Sequence, residues 1–144
     1  MRCEEIMTRT VATIPAEATV EQAARLMREK EVGFLPIVDK SGKAIGTVTD
    51  RDIVVNCVAK GNDCRTAKLS DFGGNKIHCC QPEDDVGKAE RLMQEKKIQR
   101  VLICDSQTRP VGVISIHDLA EAEDERELGE TVQQVKQGAP SSIH

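Results

Sequence analysis

Hydrophobic positions along the chain follow two periods, and the order of these periods occurs twice. Alternating β-branched residues at 11–14 predict a strand that ends at Pro15. Apolar residues at helical spacing follow Thr19, which forms a helix-starting capping box with Gln22. The first half is predicted to contain a strand at 11–14, a helix from 19, strands at 35–39 and 44–49, and a helix at 50–60 closed by Gly61.

The second half repeats this order with nearly the same residues. The sequence VEQAARLM at 20–27 returns as VGKAERLM at 86–93, and the offset of 66 holds without a gap from 17/83 to 52/118. A unit of about 40 residues is too small to bury a core alone, so the two copies should pack together. The second copy is predicted to contain a strand at 77–80, a helix at 85–97, strands at 100–104 and 110–114, and a helix from 116.

The predicted fold class is α/β (α+β), with two β-α-β-β-α units packed as one module and a C-terminal helical tail. Pro36 suggests that its strand lies at a sheet edge, or that position 36 is among its first residues. The expected domain boundaries are 1–61 for the first unit with its lead-in segment, 62–75 for a linker, 76–121 for the second unit, and 122–144 for an acidic helical and then disordered tail.

Composition and charge narrow the function. The chain has 144 residues, a net charge of −4, no Trp, no Tyr and only two Phe. An acidic chain without a basic block or a stacking platform is a poor nucleic-acid binder. No apolar run reaches the roughly 18 residues that a membrane span needs, and the N-terminus lacks a signal core. With its free cysteines, this favours a cytoplasmic protein that binds neither nucleic acid nor membrane.

The repeated motifs resemble the cystathionine-β-synthase-type tandem repeat, the CBS domain pair or Bateman module. The resemblance rests on VGFLPIVD at 32–39 and GTVTDRD at 46–52, and on IQRVLICD at 98–105 and GVISIHD at 112–118. It implies a disc-like pseudo-twofold pair that binds an adenosine-containing ligand (AMP, ADP, ATP, NAD(H) or S-adenosylmethionine) in clefts between the copies. It also implies self-association, a homodimer of pairs, and regulation of a partner protein, for example in energy sensing.

The candidate ligand site lies where a strand ends and a helix begins. A helix start presents unpaired backbone N–H groups to an anion, Asp52 can accept from a ribose diol, and Arg51 adds a charge for phosphate. The second copy repeats the set as Ser115, His117 and Asp118. The resemblance assigns ribose and phosphate contacts to Thr49, Asp52, Ser115 and Asp118. The alternative is that each Thr/Ser and Asp only caps its helix, and both roles are compatible.

Further candidates distinguish the two copies or are implied by the resemblance. Gly33 corresponds to Gln99 and Phe34 to Arg100, so we predict unequal sites, with Gly33 beside the first copy's cleft. Arg100 could reach a phosphate or form a surface ion pair. The resemblance places Thr13, Ile14, Cys79 and Cys80 around the base. Leu35, Pro36, Val101 and Leu102 are candidate cleft walls, with plain core packing as the alternative for each of these apolar positions.

Six cysteines could indicate a metal site or a redox-active thiol, but no C-x-x-C motif occurs and no spacing matches a zinc site. The repeat aligns Cys80 with Ile14 and Cys104 with Val38, which favours small core residues. No catalytic constellation is found, so we expect no enzyme, no catalytic cofactor and an adenine nucleotide only as ligand. Alternatives to a ligand-binding regulator are a ligand-free dimerisation module and a thiol or metal sensor.

Overall fold

A computed structural model of the chain describes residues 1–9, 12–72 and 77–125. The first repeat follows a short lead-in helix and has the predicted order. Its elements are α1 (Cys3–Ile6), β1 (Ile14–Pro15), α2 (Val20–Lys30), β2 (Phe34–Val38), β3 (Ala44–Thr49), α3 (Asp50–Ile53) with a π-helical continuation (Val54–Val58), and a 3-10 turn (Leu69–Phe72).

The second repeat has the same order at the predicted offset. Its elements are β4 (Cys79–Cys80), α4 (Val86–Lys96), β5 (Arg100–Cys104), β6 (Pro110–Ser115) and a helix, α5, over 116–125. Each repeat forms a three-stranded sheet, in the order β1-β2-β3 or β4-β5-β6. The mixed α/β fold with two repeats is confirmed. The predicted tail lies outside the described residues from 126 onwards.

The repeated aspartates of IVD and ICD build the hairpin turns. Asp39 Oδ1 accepts from the N–H groups of Ser41 and Lys43 at 2.9 and 3.0 Å, and Asp105 makes the equivalent pair of bonds. The turn also needs a left-handed residue, which is Gly42 (φ 87°) in one repeat and Thr108 (φ 62°) in the other. These two acids, which occur at the same position of both repeats, therefore form turns and do not belong to the candidate site.

Two prolines, Pro15 and Pro36, lie within strands of the first repeat. Pro15 belongs to β1, an edge strand in which a missing N–H is tolerated. Pro36 is the third residue of the central strand β2, so of the two predicted alternatives the edge position is wrong, and the position among the first residues of the strand holds. Its counterpart Leu102 donates to the His78 carbonyl at 3.3 Å, just before β4 begins. Because proline has no N–H group, Pro36 lacks the equivalent hydrogen bond, which would lie just outside β1.

The helix predicted at 50–60 is not a uniform α-helix. Its first four residues, Asp50–Ile53, are α-helical, and the next five, Val54–Val58, form a wider π-helical turn. Ala59 then donates to the Val54 carbonyl at 2.9 Å, and Gly61 (φ 75°) reverses the chain. Hydrophobic spacing alone does not distinguish the two helix types, because both bury Ile53 and Cys57.

The lead-in segments are exchanged between the repeats. Cys3 donates to the Asp84 carbonyl at 2.9 Å, so the segment before the first repeat packs on the second. The equivalent residue Leu69 donates to the Ala18 carbonyl at 3.0 Å and lies in the core of the first repeat. Each core is thus completed by a residue that precedes the other repeat, so the lead-in segments tie the two halves together.

A third cluster of buried side chains lies between the sheets. Ala44 from β3 packs with Leu102 and Cys104 from β5, and Phe34 and Val113 contact this group from the two repeats. Ala44 also donates to the Thr108 carbonyl at 2.9 Å. The two repeats therefore share a core. In the part of the chain described, no helix is long and apolar enough to cross a membrane.

Candidate functional site: two unequal clefts between the repeats

A cleft of about 590 Å³, here called the basic cleft, lies where the start of α3 faces the turn before β5. The first repeat contributes residues 49–52 with Phe34 and Thr47, and the second contributes residues 97–100 with His78. Arg51, Lys97 and Arg100 bring three basic side chains to this cleft, against the two acidic side chains of Asp50 and Asp52.

A smaller cleft of about 270 Å³, here called the acidic cleft, has a lining related to the first by the offset of 66. It joins residues 31–34 of the first repeat to Ser115 and Asp118 of the second, with Thr8, Ala12, Val113 and Arg100 around them. Glu31 occupies the position equivalent to Lys97, and Phe34 the position equivalent to Arg100. The two clefts therefore differ in size and in the sign of their charge.

Lys97 and Glu31 are held in the same unusual conformation. Each is the C-cap of a helix, α4 or α2, in the left-handed region (φ 54° and 55°), and each cap N–H donates to a methionine carbonyl in the last turn. Both side chains are exposed at a cleft. Because the two backbones have the same conformation, the exchange of an amine for a carboxylate changes the charge of the cleft and leaves the surrounding backbone the same.

Thr49 and Asp52 form the predicted capping box at the base of the basic cleft. The Thr49 N–H donates to Asp52 Oδ2 at 2.9 Å, and the Asp52 N–H donates to Thr49 Oγ1 at 3.1 Å. The box leaves the Thr49 hydroxyl proton available as a donor. Asp52 Oδ1 has no hydrogen-bond partner within the described part of the chain. Capping and ligand contact are therefore compatible at these two residues.

The backbone N–H groups at this helix start are not available for an anion, contrary to the sequence argument. Asp50 donates to the Gly33 carbonyl at 3.0 Å, and the Arg51 N–H donates to Asp50 Oδ1 at 2.8 Å. The Asp52 N–H is held by Thr49. Since Asp50 supplies its own carboxylate in place of a ligand, any phosphate in this cleft must be bound by side chains.

Ser115 and Asp118 repeat the capping box in the acidic cleft, with bonds of 2.8 and 3.1 Å. Ile116 donates to the Gln99 carbonyl at 3.0 Å, as Asp50 does to Gly33. Ile116 has no carboxylate to place over the next N–H group. His117 is exposed and lies outside the cleft, because its Nε2 pairs with Glu121 on the same helix at 3.0 Å. His117 therefore does not line the acidic cleft in the way that its repeat counterpart Arg51 lines the basic cleft.

Gly33 lies beside the acidic cleft. A residue without a side chain is needed here because the Asp50 carboxylate occupies the space where a side chain would begin. A Cβ atom at Gly33 would lie 2.7 Å from Asp50 Oδ2. Gly33 was expected beside the first copy's own cleft. In the structure it lies with Ser115 and Asp118, whereas Arg100 lies between the two clefts and borders both. Each cleft thus combines one repeat's helix start with the other repeat's turn.

Several predicted site residues lie behind the clefts rather than in them. Thr13 is exposed but lines neither cleft, and Cys79 is half-buried in the cluster between the sheets. The remaining apolar candidates are buried because they carry the cores of the two sheets: Ile14, Leu35, Pro36, Cys80, Val101 and Leu102. Conversely, four residues that were not predicted from the sequence line the clefts: Glu31, Asp50, His78 and Lys97. Comparison of the copies at positions 31 and 97 would have shown the charge reversal.

The cysteines do not assemble a metal site in the described ranges, where no three His, Cys, Asp or Glu side chains form a group that could hold an ion. Within those ranges all six are free thiols. A hydrogen bond from the Cys104 thiol lowers the pKa of Cys79 to about 7, with a smaller contribution from the Lys88 ammonium. The same interaction raises the pKa of Cys104, which remains a buried neutral thiol.

The chain belongs to the CBS-domain family. The family profile matches residues 3–58 and again 69–125, the two repeats together with their exchanged lead-in residues. The chain is 34% identical over 117 residues to the CBS domain-containing protein YhcV of Bacillus subtilis, covering 81% of each chain. It is 31% identical over 116 residues to Hypoxic response protein 1 of Mycobacterium tuberculosis, covering 81% of this chain and 80% of that protein.

Solved structures share the fold. The crystal structure of Hypoxic Response Protein I with two coordinated zinc ions has a TM-score of 0.75 and 29% identity, covering 85% of this chain and 98% of that one. CBS domain protein PAE2072 from Pyrobaculum aerophilum, complexed with AMP, also has a TM-score of 0.75, at 24% identity, covering 83% and 90%. The latter likeness concerns the fold alone. Together they place this chain among CBS domain pairs.

Proposed function

We propose that the protein is a non-catalytic, cytoplasmic regulator that binds an adenosine ligand bearing phosphate in the basic cleft. The observation that carries this proposal is the convergence of Arg51, Lys97 and Arg100 on the Thr49–Asp52 capping box. A diol-binding carboxylate beside several cations is suited to a ribose with an attached phosphate. The AMP complex of PAE2072 supports the proposal, since it shows such a ligand bound to a protein of the same fold.

Each part of the ligand has a partner of matching chemistry. Asp52 Oδ1 accepts from the ribose hydroxyls, and the Thr49 hydroxyl donates to a ribose or phosphate oxygen. Lys97 and Arg100 bind the phosphate, with Arg51 at the rim. Ile98 and Phe34 supply apolar surface for the base. The cleft volume of about 590 Å³ lies within the ordinary range for small-molecule sites.

The acidic cleft is suited to a different charge. Its two acidic side chains, Glu31 and Asp118, outnumber Arg100, the one basic side chain that also borders it. The cleft therefore disfavours a phosphate and favours an uncharged or cationic group, such as a nucleoside or the sulfonium of S-adenosylmethionine. Its volume of about 270 Å³ is below that of a typical ligand site. AMP, ADP, ATP and NAD(H) are therefore ligands of the basic cleft in this proposal, and a regulated partner protein, with a role in energy sensing, responds to its occupancy.

A ligand panel tests this function. AMP, ADP, ATP and NADH at about 100 times Kd should each stabilise the fold by about 2.7 kcal/mol, which raises Tm by roughly 6–10 °C. S-adenosylmethionine should give a shift that survives Asp52→Asn, whereas the shifts from the phosphate-bearing ligands should be lost. Differential scanning fluorimetry measures both. If no compound shifts Tm at millimolar concentration, the ligand-binding function is rejected.

A homodimer is a second proposal, supported by apolar side chains on the helices that follow the capping boxes. Val54 and Val58 are each 58% exposed and Ile116 is 51% exposed. Val55 is also exposed, so the π-helical turn carries three exposed valines in five residues. An apolar patch of this kind is typical of a protein–protein interface. We propose that a second copy of the chain covers it, as expected of a dimer of CBS pairs.

The valine patch gives a direct test of self-association. Val58→Asp should place a carboxylate in the interface and convert the dimer to monomer, which light scattering after size exclusion measures as a halved mass. Lys60→Asp, two residues further along on an exposed position, is the matched control and should leave the mass unchanged. A wild-type protein that is monomeric at all concentrations up to about 100 μM, or a Val58→Asp protein that remains dimeric, contradicts the proposed interface.

A further inference from the structure

Two cysteine side chains at the far end of α3 lie against each other. The sulfur atoms of Cys57 and Cys64 are 3.0 Å apart, closer than two non-bonded sulfurs normally approach. Cys57 is fully buried and also contacts the Asn62 carbonyl at 3.8 Å, whereas Cys64 is half-buried. Neither residue lines the basic or the acidic cleft. The pair therefore has no part in the proposed nucleotide site.

The pair joins two segments that are otherwise held by a few backbone bonds. Cys57 belongs to the π-helical turn, and the chain reverses at Gly61 to bring Cys64 back to it. The Cys64 carbonyl accepts from the Glu21 N–H at 2.9 Å, and the Ala67 carbonyl accepts from the Val20 N–H at 2.9 Å. The segment around Cys64 thus completes the N-terminus of α2, and a bond at Cys64 would fasten α3 to α2.

We propose that Cys57 and Cys64 form a modification site: a dithiol that low-molecular-weight disulfides oxidise to an internal disulfide. The Cys64 thiolate attacks one sulfur of the small disulfide, forms a mixed disulfide and releases one small thiolate. The Cys57 thiolate then attacks the Cys64 sulfur and releases the second. The two protein thiols lose two electrons and two protons, and the small disulfide takes up both to become two thiols.

The surroundings set the order of these steps. Cys64 reacts first because the residue is half-buried, while Cys57 is fully buried. The hydrogen bond with Cys64, together with burial, raises the pKa of Cys57 to about 11. In the reduced pair Cys57 is therefore mostly protonated at neutral pH and is a poor first nucleophile. The sulfurs must approach by only about 1 Å to reach the bond length of about 2.05 Å.

The experiment equilibrates the full chain with excess oxidised glutathione at pH 8, alkylates the remaining thiols and digests with trypsin. The thiols of Cys57 and Cys64 should both be lost, whether or not Cys79 also takes up glutathione. Cleavage after Arg51, Lys60 and Arg65 should yield peptides 52–60 and 61–65 joined to each other and lighter by about 2 Da than their reduced sum. Since the bond restricts the unfolded chain, Tm should rise by about 5 °C and return on reduction.

Matched variants decide the assignment. Cys64→Ser should abolish the linked peptides and the Tm rise, and Cys79→Ser, which alters another half-buried cysteine, should leave both intact. A link between Cys79 and Cys104 or between Cys3 and Cys80 in place of this one, or mixed disulfides that never close, would overturn the proposal. Because the readout is a linked peptide, its outcome is independent of whether a nucleotide binds.

Discussion

Replacement of Arg100 by alanine is expected to weaken AMP binding by about 10- to 100-fold. Arg100 is half-buried between the two clefts and reaches the basic cleft opposite Thr49 and Asp52. A hydrogen bond to a charged group contributes about 1.5–3 kcal/mol, which is the source of this factor. The affinity for adenosine, which has no phosphate, should change less than about threefold. Isothermal titration calorimetry with both ligands measures the difference.

A control variant separates this effect from a general loss of charge. Arg25 pairs with Glu21 on the exposed face of α2 at 2.8 Å, remote from both clefts, so Arg25→Ala should bind AMP as the wild type does. If Arg100→Ala weakens AMP and adenosine equally, the guanidinium shapes the cleft and does not bind the phosphate. If it weakens neither, the phosphate lies elsewhere.

Leu102→Ala is expected to lower the free energy of unfolding by about 2–5 kcal/mol. Leu102 is 1% exposed and packs with Ala44 and Cys104 in the cluster between the sheets. A cavity at this point removes contacts from both repeats at once. Since a domain of this size is stable by about 5–15 kcal/mol in total, the loss is a large share. Chemical denaturation followed by circular dichroism measures it.

The number of transitions in the denaturation curve tests whether the two repeats unfold together. Because the repeats exchange their lead-in segments and share the Leu102 cluster, Leu102→Ala should still unfold in a single transition. Leu92→Ala, at a half-buried position within the second core, is the control and should cost less. Two separated transitions in the wild type would mean that the repeats are independent domains.

Much of the fold could be predicted because the information is local and occurs twice. Thr49 with Asp52 and Ser115 with Asp118 read as capping boxes in the sequence, and both boxes have the predicted geometry. The strands and helices of the second repeat lie within two residues of their predicted bounds. Self-similarity places these elements more securely than propensity does, since each position is supported by its counterpart.

The site was less predictable because its geometry is not local. From the sequence, each copy was expected to line its own cleft. In the structure, residues of both repeats line each cleft. The helix-start argument failed for a similar reason: whether an N–H group is free depends on the Asp50 rotamer and on the Gly33 carbonyl opposite it. The exchange of lead-in segments likewise follows from packing, which periodicity does not report.

The central claim is that a phosphate-bearing adenosine ligand binds in the basic cleft and not in the acidic one. The most direct measurement is a calorimetric titration of AMP into the wild type, Asp52→Asn and Asp118→Asn. In both variants an amide oxygen can still accept the capping N–H, so the fold should be retained. We predict one AMP per chain in the wild type, loss of binding in Asp52→Asn and unchanged binding in Asp118→Asn. Loss of binding in Asp118→Asn with normal binding in Asp52→Asn would contradict the account.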